Sequence, residues 1–243
     1  MIAVRRSADR QYDKTRTLET WLTFGPKDRA GILSDGLENL EVLQECRLAL
    51  GARVPRASGH DAEIVTYVRE GALAYDNSLG VSGIVQSGEF QRVTVGRGLH
   101  RNRTNASRID RVHFFQIWLR PSQADLDPGD EQKRFTAAQR RGGLCVVASQ
   151  DGRRGALHIH QDALIYSALL NPGQHVVHEL SPGRSAWLHL VQGEVTLGDL
   201  ILSTGDGVGV TAERALSLTA MEESEILLVD LADATTRTNS GRP

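Results

Sequence analysis

The sequence is short of cysteine and aromatic residues, has no excess of either charge, and contains no long apolar run. Its two cysteines, Cys46 and Cys145, stand far apart, and neither has a second cysteine nearby. A zinc knuckle is thereby excluded and a disulfide framework is not expected, so a reducing, cytoplasmic setting is the simplest reading. Both are expected as small buried residues, since no electropositive, exposed niche marks either as reactive. The 28 Lys and Arg are offset by 30 Asp and Glu, for a formal net charge of -2. The basic footprint of a nucleic-acid or membrane-surface binder is absent. Runs such as Ile226–Val229 are far too short to cross a bilayer. Met1–Arg10 is charged and lacks the apolar core of a secretory leader. There is no Gly-x-Ser-x-Gly elbow, no P-loop and no dinucleotide fingerprint after a strand, and no spacing singles out a Ser-His-Asp triad.

What the chain does have is glycine and short β-rich runs. Twenty-four glycines are spread along 243 residues, of which 40% are hydrophobic. Glu63–Val68, Phe90–Val95, Val112–Leu119, Leu144–Ala148, Trp187–Val191 and Glu225–Leu231 read as strands, being short, β-branched or aromatic, and bounded by turn residues. Regular strands separated by turn signals predict a sandwich or barrel. The pattern occurs twice. A strand runs into a turn glycine at Tyr67–Leu73 and again at His189–Val195, and tight turns follow at Ser87-Gly88-Glu89 and Thr204-Gly205-Asp206. Two copies of one β unit predict tandem barrels, divided as residues 1–125, a linker at 126–143, a second barrel at 144–231 and a polar tail at 232–243. The linker is rich in Pro, Gly and charge, with one helical turn expected around Asp130–Arg134. The tail is expected to fray.

Two spaced motifs carry a resemblance. Gly51 is followed by five residues, Ala57-Ser58-Gly59, three residues, Glu63, seven residues and Gly71. Gly88 is followed by five residues, Thr94-Val95-Gly96, four residues, Arg101, three residues and Asn105. These skeletons resemble the two motifs of cupins. Trp21-Leu22-Thr23-Phe24, Asp61–Val68, Gly88-Glu89-Phe90-Gln91, Gly96-Arg97-Gly98-Leu99, Gln116-Ile117-Trp118, Glu131–Phe135 and His160-Gln161-Asp162 make the finer resemblance to pirins, the two-cupin family that includes quercetinase-like proteins. It implies an all-β fold of tandem cupin barrels (double-stranded β-helices of the jelly-roll kind), with the first strand or two completing the other barrel. It also implies a monomer. Any enzymatic activity would be that of an oxidoreductase of the quercetin 2,3-dioxygenase type.

In that family three histidines and one glutamate of the N-terminal cupin hold a metal, usually iron. The matching positions here are Ala57, Gly59, Arg101 and Arg103. Alanine and glycine bring no side-chain donor, and a guanidinium has only N–H groups and no lone pair. No metal is therefore expected there. The rival is a displaced site of iron or another divalent transition metal built from His60, His100 and Glu63, the last at a position that supplies a carboxylate ligand in many cupins. Each histidine is shifted by one residue, which should turn it to the outer face unless both strands bulge. Arg101 and Arg103, two apart on a strand, share one face. That face would take a small carboxylate or phosphate, with Glu63 and Asn105 beside it, unless Glu63, Asp61 or Glu89 neutralises the pair or the side chains point to solvent. His158-Ile159-His160 looks like a metal pair but matches a segment that pirins do not use for metal. Asn171–His175 precedes His178 and could bring two imidazoles together, but no carboxylate sits at motif spacing. All the second-half histidines are expected to be structural or surface residues.

Three functions are weighed: a metal-free regulatory or stress protein that binds a small anion or a protein partner, a metal-dependent flavonol dioxygenase, and a metal-free enzyme. The last would use His60 or His100 as general base, with Arg101 or Arg103 stabilising an enolate. No direct nucleic-acid or membrane binding is expected.

Overall fold

The computed structural model describes residues 1–25, 37–54 and 62–233. They form two seven-stranded and two four-stranded sheets. One sheet of each size makes each barrel, and the two larger sheets pack face to face. Each strand expected from the sequence is present, with its ends shifted by no more than three residues.

Side-chain alternation explains the architecture. Val112–Leu119 pairs with Leu40–Leu48 on one side and Glu63–Glu70 on the other. Covered on both faces, it has little polar content. Phe115, Ile117 and Leu119 face the seam between barrels, where Val65, Tyr67, Phe90, Trp187, Leu227 and Val229 meet them. Phe114 and Trp118 face into the N-terminal barrel. The C-terminal barrel is filled with aliphatic side chains, among them Leu188, Leu190, Leu202, Leu216, Leu218 and Leu228. Ile2–Arg5 pairs with Gly207–Val210 of that barrel. The first residues therefore complete the second barrel, as the resemblance implies.

Two local expectations need correction. The helical turn expected at Asp130–Arg134 is a strand, Gly129–Arg134, on the edge of the N-terminal sheet against Glu89–Thr94. Its residues are polar on both faces, so it shows no apolar alternation. Asp130 stands opposite Val93 and Gln132 opposite Gln91, both on the barrel side. The helical turn falls instead at Ala137–Arg140, where Thr136 caps it by accepting from the Gln139 amide. His175 and His178, three apart on His175–Glu179, lie on opposite faces, His175 exposed and His178 buried against Asp230 at 2.7 Å. The tail expected to fray lies, from residue 234 on, outside the described residues.

The seam also buries polar groups. His189 is 1% exposed, and neither ring nitrogen has a hydrogen-bond partner among the described residues. Burial, then the charge of Arg10, holds its pKa down to about 3 from an ordinary 6.5. Burial alone would raise Glu45, but hydrogen bonding to His113 and the charge of Arg10 outweigh it and hold it to about 2 from 4.5. Both folded values are depressed, so in each case the unfolded chain binds the proton first. The His189 contribution is complete above pH 6.5 and is lost as pH falls toward 3. The Glu45 contribution is complete above 4.5 and is lost toward 2. Stability should therefore begin to fall below pH 6.5, on the histidine alone, with a slope approaching about 1.4 kcal/mol per pH unit. Urea unfolding at stepped pH checks this. His189→Leu should flatten the limb between 6.5 and 4.5. An unchanged slope in the variant would assign it to another group.

Candidate functional site

The N-terminal barrel differs from its partner in having a polar interior. Arg101–Asn105 pairs with Ala72–Asn77 in the register Arg101 to Asn77, Arg103 to Tyr75 and Asn105 to Leu73. Directly opposed residues share a face, and Leu73 belongs to the barrel core. Arg101, Arg103 and Tyr75 therefore point inward. The intervening Asn102 points outward and donates to Asp76 at 2.6 Å.

Arg103 is 6% exposed, and its Nη1 has no hydrogen-bond partner among the described residues. Burial pulls its pKa down, and the acidic group acting on it is the Cys46 thiol. Burial raises that thiol to about 11, so it is neutral at pH 7 and gives no counter-charge. Arg101 is half-buried; burial and then the neighbouring Arg103 charge lower its pKa, with Asp130 opposing. Asp130 is the carboxylate that acts on Arg101. It accepts from Gln91 Nε2 at 2.8 Å and from Tyr75 Oη at 3.4 Å. Burial raises its pKa against those hydrogen bonds and the Arg101 charge. Thr66, Gln116 and Gln44 form a hydrogen-bonded chain beneath, with Gln116 donating to Thr66 at 3.0 Å and Gln44 donating to Gln116 at 2.6 Å. Ile64, Val93, Val95 and Leu99 make an apolar wall against which Trp118 packs. The Trp118 indole N–H is buried without a partner among the described residues. Among the described residues, Arg101 and Arg103 stand here against Asp130, while Glu89 on the same face is taken by Arg134, which leaves an excess of positive charge.

The other residues singled out in the sequence fall elsewhere. Glu63 shares the outward parity of Val65 and Tyr67 and is fully buried at the seam. It accepts from the Thr94 hydroxyl at 3.1 Å and the His160 amide at 2.6 Å, and lies 2.8 Å from His160 Nδ1. It is thus neither beside the arginines nor their counter-ion. Glu89 is also engaged elsewhere, holding Gln132 at 2.8 Å and Arg134 at 3.4 Å. Asn105 is buried, donating to the carbonyls of Leu48, Ala49 and Asp110 and accepting from the Ser107 amide. Its side chain is spent on pinning a loop rather than reaching a ligand. His100 is exposed, its backbone tied to Ser78. Ala57, Gly59, His60 and Asp61 lie outside the described residues. Tyr75, Gln91, Trp118 and Asp130 were missed. Parity with Arg103 across the hairpin would have found Tyr75, but Asp130 sits in a segment with no strand signal.

Arg101 and Arg103 stand where the resemblance places two metal ligands, and they do not fit a divalent cation. A guanidinium offers no lone pair, and two inward positive charges repel a third. Among the described residues no three His, Cys, Asp or Glu side chains are grouped to hold a metal ion.

Comparisons with known proteins agree with this architecture. Residues 9–119 match the family described as Pirin, and residues 146–231 match the Quercetinase C-terminal cupin domain. The chain is 34% identical over 231 residues to a quercetin 2,3-dioxygenase of Escherichia coli K12, covering 95% of this chain and 99% of that one. It is 31% identical over 194 residues to a pirin-like protein of Caulobacter vibrioides, covering 79% and 83%. The crystal structure of YhhW from Escherichia coli superposes with a TM-score of 0.90 at 33% identity, covering 96% and 98% of the two chains. A second structure of that bacterial pirin, in complex with nickel(II), gives 0.89. With both barrels matched in order and nearly the whole chain aligned, this protein belongs to the pirin family of two-domain cupins.

Proposed function

We propose that this pirin is metal-free in its N-terminal barrel and binds a small anion there, acting as a regulatory protein through occupancy rather than turnover. The observation that carries this reading is the buried Arg103, with Nη1 unpartnered among the described residues and Arg101 on the same inner face. A buried cation without a counter-ion is costly, and a bound carboxylate or phosphate removes that cost with charge-assisted hydrogen bonds. The Escherichia coli relative has been crystallised with nickel(II). Here the same barrel presents guanidiniums where the resemblance expects imidazole and carboxylate. The dioxygenase alternative needs His60, His100 and Glu63 around one ion, yet Glu63 is turned to His160 and His100 is exposed. An exposed His100 is equally ill placed as a general base beside the arginines.

Two measurements on untagged, exhaustively desalted protein test the reading. Elemental analysis should find well under one equivalent of iron, nickel, copper or zinc. Inorganic phosphate or benzoate should raise the unfolding temperature. At a hundredfold excess over the dissociation constant the gain is about 2.7 kcal/mol, and Arg101→Ala should abolish it. Near-stoichiometric metal that survives desalting, or no response to either anion, would overturn the proposal.

A further inference from the structure

Away from the interior of the N-terminal barrel, one pair of metal-ligating side chains is arranged as more than a chance neighbourhood. His158 ends the short strand Leu157–His158 and His160 follows in the bend beyond it, which brings both rings to the same side. Their rings lie 4.9 Å apart, centroid to centroid, nearly perpendicular at 88°. The segment is clamped onto the N-terminal barrel by two carboxylates. The His158 amide donates to Glu131 at 2.9 Å and the His160 amide to Glu63 at 2.6 Å. Glu63 acts twice, because its Oε1 is also 2.8 Å from His160 Nδ1.

That second contact orients the ring. The carboxylate accepts from Nδ1–H, which turns Nε2 away from Glu63, so that in the neutral imidazole the Nε2 lone pair is available to a ligand. Among the described residues nothing hydrogen-bonds to Nε2, and the side chain is 32% exposed. A carboxylate behind the far nitrogen of an imidazole is the arrangement that orients ligating histidines and raises their basicity. His158 is exposed and can turn its own ring nitrogen toward the same point. The charges nearby cancel: Glu131 is paired with Lys133 at 2.7 Å and Arg92 at 3.5 Å, and Arg92 also donates to Thr94, whose hydroxyl donates to Glu63, so two carboxylates face two cations around the pair.

We propose that His158 and His160 form an exchangeable site for a divalent transition ion at the junction of the two barrels. The ion is one that favours imidazole, namely copper(II), nickel(II) or zinc(II). Two imidazoles are the protein ligands, water completes the shell, and Glu63 is the positioning residue behind His160. The site is independent of the barrel arginines. With only two protein ligands, its ion is lost on desalting.

Calorimetric titration of untagged protein with nickel(II) tests this. One equivalent should bind, and His158→Ala, an exposed change that leaves the fold intact, should weaken binding at least tenfold. Arg101→Ala should leave it unchanged. Glu63→Gln should weaken it about 10–100-fold, the range found when a carboxylate behind a ligating imidazole is removed. Because Glu63 is buried, its variant is first checked for a native unfolding transition. Copper(II) EPR supplies a readout that does not depend on that variant, with hyperfine coupling to two imidazole nitrogens in the wild type and to one in His158→Ala. Binding as tight in His158→Ala as in the wild type, or an EPR spectrum unchanged by that substitution, would overturn the proposal.

Discussion

Arg140→Ala is expected to destabilise the protein by about 3 kcal/mol, near the low end of the cost of breaking a buried ion pair. Arg140 comes from the short helix in the connecting segment and is 6% exposed. Its Nη1 donates to Tyr67 Oη at 2.9 Å, Glu225 Oε1 at 3.0 Å and Ser167 Oγ at 3.2 Å. Tyr67 belongs to the first barrel and Ser167 and Glu225 to the second, so one guanidinium ties both barrels to the connection. Tyr67 also donates to Glu225, and its pKa is raised by burial and then by that carboxylate. Without Arg140 the buried Glu225 keeps Arg69, whose Nε lies 3.1 Å away; this remaining pair keeps the expected loss at the low end. Urea unfolding gives the number, with an unchanged m-value if the transition remains two-state. A double-mutant cycle with Glu225→Ala should return a coupling above about 1 kcal/mol. A loss under about 0.5 kcal/mol, the usual size of a surface change, would mean that the apolar seam alone holds the barrels together.

The legible and illegible parts of this fold separate along physical lines. Strands covered on both faces, such as Val112–Leu119 and Glu225–Leu231, announce themselves by apolar content, and their ends by a return to charged or turn-forming residues, Asp110-Arg111 and Arg120-Pro121 around the first and Glu223-Ser224 and Asp233 around the second. Gly129–Arg134 does not, because its inner face meets polar side chains such as Gln91 and Tyr75 and its outer face meets the polar edge of the other barrel. Tyr75 and Asp130 thus remained hidden, although they complete the site that the spacing of Arg101 and Arg103 had marked. The two-residue spacing correctly put both arginines on one face; which face depended on the register with Leu73 and Tyr75. Glu63 shows the reverse. Its motif position suggested a ligand, whereas its parity with Val65 and Tyr67 already assigned it to the seam. Asn105 keeps the motif skeleton for a mechanical reason, since the turn it caps is needed whatever the barrel binds. His60, which strand alternation in the sequence turns outward, lies outside the described residues.

Arg103→Met should raise the stability of the empty protein while removing its response to phosphate and benzoate. Methionine keeps the length of the side chain and packs readily into irregular interior space. The change deletes a charge that is 6% exposed and whose Nη1 lacks a partner among the described residues. Replacing buried charged groups by apolar ones of similar volume is often neutral or stabilising by about 1–4 kcal/mol. For a chain of this size each kcal/mol is worth about 2–4 °C in unfolding temperature. Arg103→Lys keeps the charge and loses the forked donor, so it should gain no stability and respond weakly to anions. The opposite signs separate a ligand site from a structural network. If Arg103 were held by an internal counter-ion, Arg103→Met would strand that partner and lower the unfolding temperature, and anions would have little effect on either protein. If it waits for a ligand, the protein sacrifices stability for function, as strained sites commonly do. The empty wild type should then be less stable than the methionine variant, and saturating phosphate should bring it level with or above that variant.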